Sequence, residues 1–512
     1  MSPATRGTPD ADELLTALDQ RLAQVATALL GSMAASTSPA VPGGTTATLL
    51  PLLVEHCRPR GRSDARWLLL TGLFGGFPTS AQLVEFGRRL ELDPAHRVES
   101  SLLAELLTAH ERGRPDLHMD VVTDGVLVDV DFSARHDTHT GIHRVVRETV
   151  PRWAAAQRGG RSVYPVAWFD EHAAFRPLSE RESARVLSFG AAMVAPPAAD
   201  GSSSISHRLV VPWRSVVVLV DVPNGRVGDE LAALARFSGN TLSAIGYDLI
   251  PITNAETRPF GDAVAFAQYL SVVKHVQRIA GISVSATGEF AGFASAIRAQ
   301  GLPGPEVRTV ELVTAAITST AGGRPAQVRS DRPVIVCPGS REPHKNHRTV
   351  LHAAERLWQE GLDFEMRLVG GAGWSETELR PAIDRLQARG RPLRELGRVS
   401  DDELTAQLQA ADFAVFISLH EGYGLPVTEA LASGSPVITS DFGSQREIGE
   451  QGGCLMVDPR DDDQVTAGLR LLLTDAEELG RLRAAIAARP VRTWAQYADE
   501  LWSWLVEGNG GS

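Results

Sequence analysis

Two glutamates eight positions apart, Glu421 and Glu429, flank a glycine-rich turn in "HEGYGLPVTEALASGSPVITSD", residues 420–441. Carboxylates accept hydrogen bonds from hydroxyl groups, and Gly422 and Gly424 let a backbone come close to a ligand. Pro426 and Gly434 are the residue types that open and close a helix. A helix starting there turns unpaired N–H groups and a partial positive charge toward the turn, which favours a phosphate. A diphosphate flanked by two polyhydroxyl rings satisfies both features, with one glutamate for a sugar and the other for a ribose. Glutamates at this spacing also arise by chance in ordinary helices, so the surrounding elements decide.

Those elements read as α/β. "FAVFIS" is a strand ending at the turn and "PVITSD" is the next strand. "PVIVCPG" and "EMRLVGG" belong to the same series, with helices such as "HRTVLHAAERLWQEG" and "DDELTAQLQAA" between them. Upstream, "VLVDVDF", "VVVLVDV", "LSAIGYDLIPI" and "RIAGISVSA" read as buried parallel strands of one open sheet, and "GIHRVVRETVPRWAAAQ" as a helix between strands. The pattern predicts two Rossmann-like domains, residues 120–310 and 330–490, joined through a Gly- and Pro-rich stretch at 301–332. The cleft between two such domains is the expected ligand site. Residues 491–512, with Trp494, Trp502 and Trp504, read as a helix crossing both domains.

Residues 1–115 form a helical accessory segment with a flexible linker at about 32–48. Asp10 and Glu13 have capping-box spacing, and Leu14, Leu15, Leu18, Leu22, Val25 and Leu29 fall on one helical face. That stripe packs either within its own domain or against a partner, so a homodimer through these helices is one of two open readings. Thr79 and Gln82 repeat the capping-box spacing, and Asp93-Pro94 breaks the helical pattern that follows.

The chain of 512 residues carries a formal charge of −12, which argues against broad phosphate-backbone contact and so against a nucleic-acid partner. Cys57, Cys337 and Cys454 are too far apart for a disulfide framework or a CxxC metal site, which fits a reducing compartment. The first residues show no basic region followed by an apolar core, and no run reaches the ~18 apolar residues of a membrane span. The expected location is the cytoplasm, with peripheral attachment at the inner face of the membrane as an alternative. His136, His139 and His143 crowd one segment and could suggest a metal, with solvent-exposed or acceptor-facing histidines as the other reading; the DxD at Asp129–Asp131 could suggest one too, with a structural or loop role as the other reading, and no metal site is expected.

The turn resembles the ExxxxxxxE signature of family 4 of the glycosyltransferases, retaining enzymes of the GT-B fold. Similar segments follow in the family's order: "VCPGSREPHKNHRTVLHAAERL", "MRLVGGAGW", "LRELGRVSDDELTAQLQAADFAVFIS", "SDFGSQREIGEQGGCLMVDP" and "RTWAQYADELWSWL". In the first α/β domain "DFS", "TGIHRVVRE", "YDLIPI" and "ISVSATGEF" are similar to a branch in which polysaccharide mannosyl- and rhamnosyltransferases are common. Residues 1–115 resemble nothing in the catalytic core. The resemblance implies an α/β protein of GT-B type, two Rossmann-like domains facing across a cleft, with an N-terminal α-helical extension.

It further implies a nucleotide diphosphate sugar as donor, no cofactor, and a glycan, lipid-linked or protein hydroxyl as acceptor. Glu421 would contact the donor sugar, Glu429 the ribose, and the amides of Gly424 and Leu425 the diphosphate, with Gly422 and Tyr423 completing the turn. Lys345 would neutralise the departing diphosphate. Gly141 would be the small residue that lets the donor approach from the first domain, with Arg144 behind it, unless Arg144 merely pairs with Glu148 one turn on. Many members read EPRKN where this chain has His344, and Arg341 is the candidate to supply the missing charge. Many also have a histidine where Tyr247 precedes Asp248, which leaves open the group that meets the reacting sugar there. Two other classes remain: a non-catalytic GT-B-like scaffold acting through its helical segment, and a GT-B sugar-nucleotide epimerase or hydrolase.

Overall fold

The structure is a computed structural model and describes residues 11–31, 43–111, 113–137, 140–156, 160–170, 173–189, 208–313, 332–374 and 376–508. Asp10, His139, most of the linker expected at 32–48 and most of the stretch 301–332 lie outside the described residues.

Five helices come first: α1 (Ala11–Leu30), α2 (Gly44–Cys57), α3 (Ser63–Phe74), α4 (Ser80–Leu92) and α5 (Ala95–Leu106). Thr79 and Gln82 close a reciprocal capping box at the start of α4, and α4 and α5 part at Asp93-Pro94 as their sequence requires. The buried face of α1 is Leu18, Arg21, Leu22 and Val25 with Ala17 and Ala26, whereas Leu15 is exposed. The face is therefore rotated from the leucine stripe and has an arginine at its centre. Arg21 is tolerated there because its guanidinium donates to the carbonyls of Gly72, Leu73, Pro115 and Leu117.

Among the described residues the strands form two sheets. The first contains β1 (His118–Thr123), β2 (Val126–Asp129), β3 (Val163–Trp168), β4 (Phe175–Pro177), β5 (Arg208–Trp213), β6 (Val216–Leu219), β7 (Thr241–Gly246), β8 (Arg278–Gly281) and β9 (Glu306–Thr309). Their order is β1-β5-β4-β3-β2-β6-β7-β8-β9, parallel except for β4, which runs against β3 and β5. The second contains β10 (Val334–Pro338), β11 (Glu365–Val369), β12 (Leu393–Gly397), β13 (Phe413–Phe416), β14 (Val437–Ser440) and β15 (Cys454–Val457), all parallel in the order β12-β11-β10-β13-β14-β15. Two parallel-sheet, Rossmann-like domains are the GT-B arrangement, and the five helices before them are the expected N-terminal extension.

A parallel sheet needs cover on both faces because its strands are apolar on both. In β6, Val217 and Leu219 face one core while Val216 and Val218 face another. The first core is continuous with Leu22, Leu53, Trp67, Leu73 and Phe86 of the N-terminal helices, so those helices are the cover for that face of the first sheet. The apolar face of α1 is spent inside the chain.

The other face carries the helices α6 (Asp131–Arg135) and α7 (Gly141–Ala156) and the C-terminal helix Trp494–Trp502. Trp153 of α7 donates to the Ala498 carbonyl, Trp504 to that of Ile279, and Ser243 to that of Leu505. The chain's end thus returns from the second domain to the first, and one buried cluster runs through Val218, Trp502, Val427 and Val437 across both.

Candidate active site

The second domain builds its half of the site at the carboxyl end of β13. The helix Leu425–Ala432 follows, with Gly424 as its N-cap at φ 114, a left-handed geometry that a side chain rarely adopts. Pro426 lies in its first turn and Gly434 follows the C-cap, also at positive φ. Glu429 sits just beyond the first turn. The turn is pinned from behind: Ser444 donates to the Glu421 carbonyl, and Ser440 and Gln445 donate to the Ser418 carbonyl.

Lys345 and Glu421, 76 positions apart, meet at 2.6 Å with side chains only 14% and 11% exposed. Burial alone would raise the Glu421 carboxyl; the Lys345 ammonium and neighbouring groups more than offset it, so the carboxyl lies below its ordinary value. Lys345 also lies 5.2 Å from the centre of the Phe416 ring.

The first domain closes the site from the other side. A Cβ on Gly141 would stand 3.2 Å from Leu425 Cδ1, and one on Gly422 would stand 2.4 Å from the Tyr247 carbonyl oxygen and 2.9 Å from Asp248 Oδ2. Glycine at both positions is what allows the two backbones to approach. Arg144 of α7 donates to Glu429 at 2.5 Å across the cleft, and the neighbouring Glu148 pairs with Arg152. The alternative pairing of Arg144 with Glu148 is therefore absent. Asp248 accepts from the Ile250 amide; burial, then Glu289 and Glu421, push its carboxyl up to about 6.

Four expected site residues have other partners. Arg341 binds Glu376 at 2.5 Å and Glu395 at 3.0 Å, so two carboxylates already neutralise the cation assigned to the missing charge. His344 is buried and stacked on Trp374, and burial followed by the Lys345 charge pushes its pKa down to about 3. It is a neutral ring at physiological pH and supplies no charge. Tyr247 spends its hydroxyl on the Val220 carbonyl at 2.7 Å, and Tyr423 reaches across to the carbonyls of Leu312 and Val313.

The histidine segment and the DxD resolve into local structure. His143 is buried, where exposure or an acceptor-facing position had been expected, with Nδ1 2.7 Å from Thr140 Oγ1, and His136 is exposed with its ring against Phe132. Asp129 accepts from Trp168 Nε1 and the Asp131 amide, and burial raises its carboxyl to about 8. Among the described residues no group of three or more His, Cys, Asp or Glu side chains is arranged to hold a metal.

Sequence reasoning missed the polar contacts between the domains. Glu447 caps the helix Val284–Ala299 of the first domain through the Val284 and Ser285 amides, and Ser283 donates to the Gly422 carbonyl. His420 pairs with Glu289 at 2.8 Å. The strand-to-helix junction "ISVSATGEF" carried the signal in its Ser283 and Glu289, without indicating their partners.

Residues 324–489 match the family described as glycosyl transferases group 1, a stretch that includes Lys345, Glu421 and Glu429. The second domain is a group 1 glycosyltransferase domain. The chain is 26% identical over 344 residues to the serotype-specific mannosyltransferase WbdA of Escherichia coli, covering 64% of this chain and 39% of that one. It is 36% identical over 138 residues to O-antigen chain mannosyltransferase B of Escherichia coli, 27% of this chain and 36% of the other. Identity is also 36% over 172 residues to MMP alpha-(1->4)-mannosyltransferase of Mycolicibacterium hassiacum, 31% and 38% of the two chains. The chain thus spans about two fifths of the length of these curated relatives. Among solved structures, sucrose-phosphate synthase of Thermosynechococcus elongatus aligns with a TM-score of 0.51 at 16% identity, over 74% of this chain and 97% of that one. The alpha,alpha-trehalose 6-phosphate synthase of Burkholderia multivorans aligns at 0.50 and 13% identity, over 75% and 96%. These two neighbours share the two-domain fold.

Proposed function

We propose that the chain is a retaining glycosyltransferase that moves a sugar, mannose- or rhamnose-like, from a nucleotide diphosphate donor to a hydroxyl of a glycan, lipid-linked or protein acceptor. The observation that carries the reading is the Lys345–Glu421 pair beside the glycine turn and the helix Leu425–Ala432. When the bond from the anomeric carbon to phosphate breaks, negative charge grows on the leaving oxygens. A cation already oriented there stabilises the transition state more than the ground state.

Glu421, kept ionised by its neighbours, accepts from donor-sugar hydroxyls. Glu429 takes the ribose hydroxyls, and Arg144, released from it, turns to the diphosphate. The amides of Gly424 and Leu425 complete the diphosphate site. Asp248, beside Gly422, faces the reacting sugar from the first domain. Lys345 carries the charge that a divalent metal would otherwise carry, so turnover should survive chelation by EDTA. The three relatives named above, each a mannosyltransferase, support the sugar class.

The test is incubation of the protein with nucleotide diphosphate sugars and a glycoside acceptor, with the new linkage read by NMR. A product with the donor's anomeric configuration supports the reading. An inverted product removes the retaining mechanism, and free sugar or an altered sugar nucleotide formed without acceptor replaces transfer with hydrolysis or epimerisation.

A further inference from the structure

One carboxylate joins the two halves of the site without belonging to either acid expected to touch the donor. Glu289 lies on the helix Val284–Ala299 of the first domain. Its Oε2 accepts from the Leu249 amide at 2.7 Å, and its Oε1 pairs with His420 Nε2 at 2.8 Å. Leu249 follows Asp248 in the chain, and His420 precedes Glu421. The side chains of His420 and Glu289 are 11% and 15% exposed, so the contact is largely withdrawn from water. The same helix is tied to the second domain at its start, where Ser283 and the Val284 and Ser285 amides bind the Gly422 carbonyl and Glu447.

We propose that Glu289 is a positioning residue for sugar transfer: by holding the Leu249 amide and the His420 ring together, it sets Asp248 of the first domain against Glu421 of the second. This rests on the glycosyltransferase reading. The reason is geometric. Gly422 meets the Tyr247 carbonyl and Asp248 with no room for a side chain, so a small shift of either segment changes the distance between the two acids across the reacting carbon. Misplacement of reacting groups by about 1 Å can cost roughly 100-fold in rate.

The groups facing His420 are Glu289 from the first-domain helix, Asp248 from the end of β7, Glu421 on its own loop and His344 from the loop after β10, with the Phe442 ring at 5.9 Å. Burial lowers the imidazole's proton affinity, and Glu289 with Asp248 and Glu421 more than restores it, so His420 titrates above its ordinary value. The attraction between the imidazolium and these carboxylates, while they are ionised, is therefore present below the ordinary histidine value of 6.5 and is lost as pH rises through the raised value.

The test compares native protein, Glu289→Gln and Glu289→Ala. The His420 titration is followed by NMR of 13C-labelled histidine without ligand, and kcat and KM for the donor are measured across pH. Glutamine can still accept from Leu249 and donate to a neutral His420. Expected are an His420 titration displaced downward in Glu289→Gln, an alkaline fall in kcat displaced with it, and a kcat loss of roughly 10- to 100-fold in Glu289→Ala. Donor KM should stay within about threefold, because Lys345, Glu429 and the amides of Gly424 and Leu425, which hold the nucleotide diphosphate, lie on the second domain. An unmoved His420 titration in Glu289→Gln overturns the ion pair. A kcat unchanged in Glu289→Ala, or equal losses in both variants with KM rising in parallel, overturns the positioning role. Native protein that transfers no sugar would refute the glycosyltransferase reading itself, an outcome visible before any variant is made.

Discussion

Replacing Lys345 by alanine strands a carboxylate as well as removing a cation. Glu421 would be left 11% exposed without the ammonium now 2.6 Å away. Removing one member of a buried pair costs about 3–5 kcal/mol, and the residual exposure favours the lower end, about 3 kcal/mol. At roughly 2–4 °C per kcal/mol for a domain of this size, the melting midpoint should fall by roughly 6–12 °C near neutral pH. The pH dependence has a definite sign. In the native protein the Glu421 carboxyl lies below its ordinary value of 4.5, so the pair's stabilisation is present above that pH and is lost as pH falls through the lowered value. In the variant the burial penalty has lost its largest opponent, and the folded carboxyl takes up a proton more readily than before. The deficit should therefore be full at neutral pH and shrink below pH 4.5. Turnover should fall by about 10²- to 10³-fold at all pH, the usual loss of one oriented donor from a charge-developing site. The double variant Lys345→Ala/Glu421→Gln should regain much of the stability and none of the turnover. Scanning fluorimetry from acid to neutral pH with a nucleotide-release assay reads both quantities. A stability deficit that does not change with pH, or a turnover close to native, would refute the reasoning.

Gly422→Ala puts a methyl group 2.4 Å from the Tyr247 carbonyl oxygen, so the domains must part; kcat should fall at least about tenfold with nucleotide affinity little changed, measured by kinetics and calorimetry. Arg21→Met removes donors to four carbonyls, three of these contacts buried, and should destabilise the N-terminal helices and first sheet by about 3 kcal/mol or more in urea denaturation, whereas a change under about 1 kcal/mol would contradict the packing described. Arg341→Ala takes from Glu376 and Glu395 one of their two guanidinium partners, Arg380 remaining on both, and should lower stability more than turnover, while the pH–rate profile should show no inflection from His344 above about pH 4, since that ring's pKa is pushed to about 3.

The second domain was legible because its strands are continuous apolar runs buried on both faces and its glycines mark where backbone meets ligand. "FAVFIS" became β13 and "PVITSD" became β14. The first sheet was only half legible. β4 has three residues and runs antiparallel, too short for any period to register. β1 lies near the end of a long helical stretch and is a strand because β5 pairs with it along all six of its residues. The role of the helices was hidden for a related reason: a stripe reveals that a partner exists, and only tertiary structure reveals that the partner is a sheet face. At the site, residue types and the turn could be read locally. Arg144–Glu429 and Glu289–His420 could not, because each joins residues more than a hundred positions apart through the closure of two domains.

Whether Lys345 and Glu429 lie in a nucleotide diphosphate site is read by titration calorimetry with UDP, GDP, ADP and dTDP on native protein, Lys345→Ala and Glu429→Ala. One nucleotide should bind the native chain, and each variant should weaken that binding at least about tenfold, the loss of about 1.4 kcal/mol or more. Absence of binding by every nucleotide, or equal binding by all three proteins, would contradict the claim and return attention to a scaffold acting through the N-terminal helices.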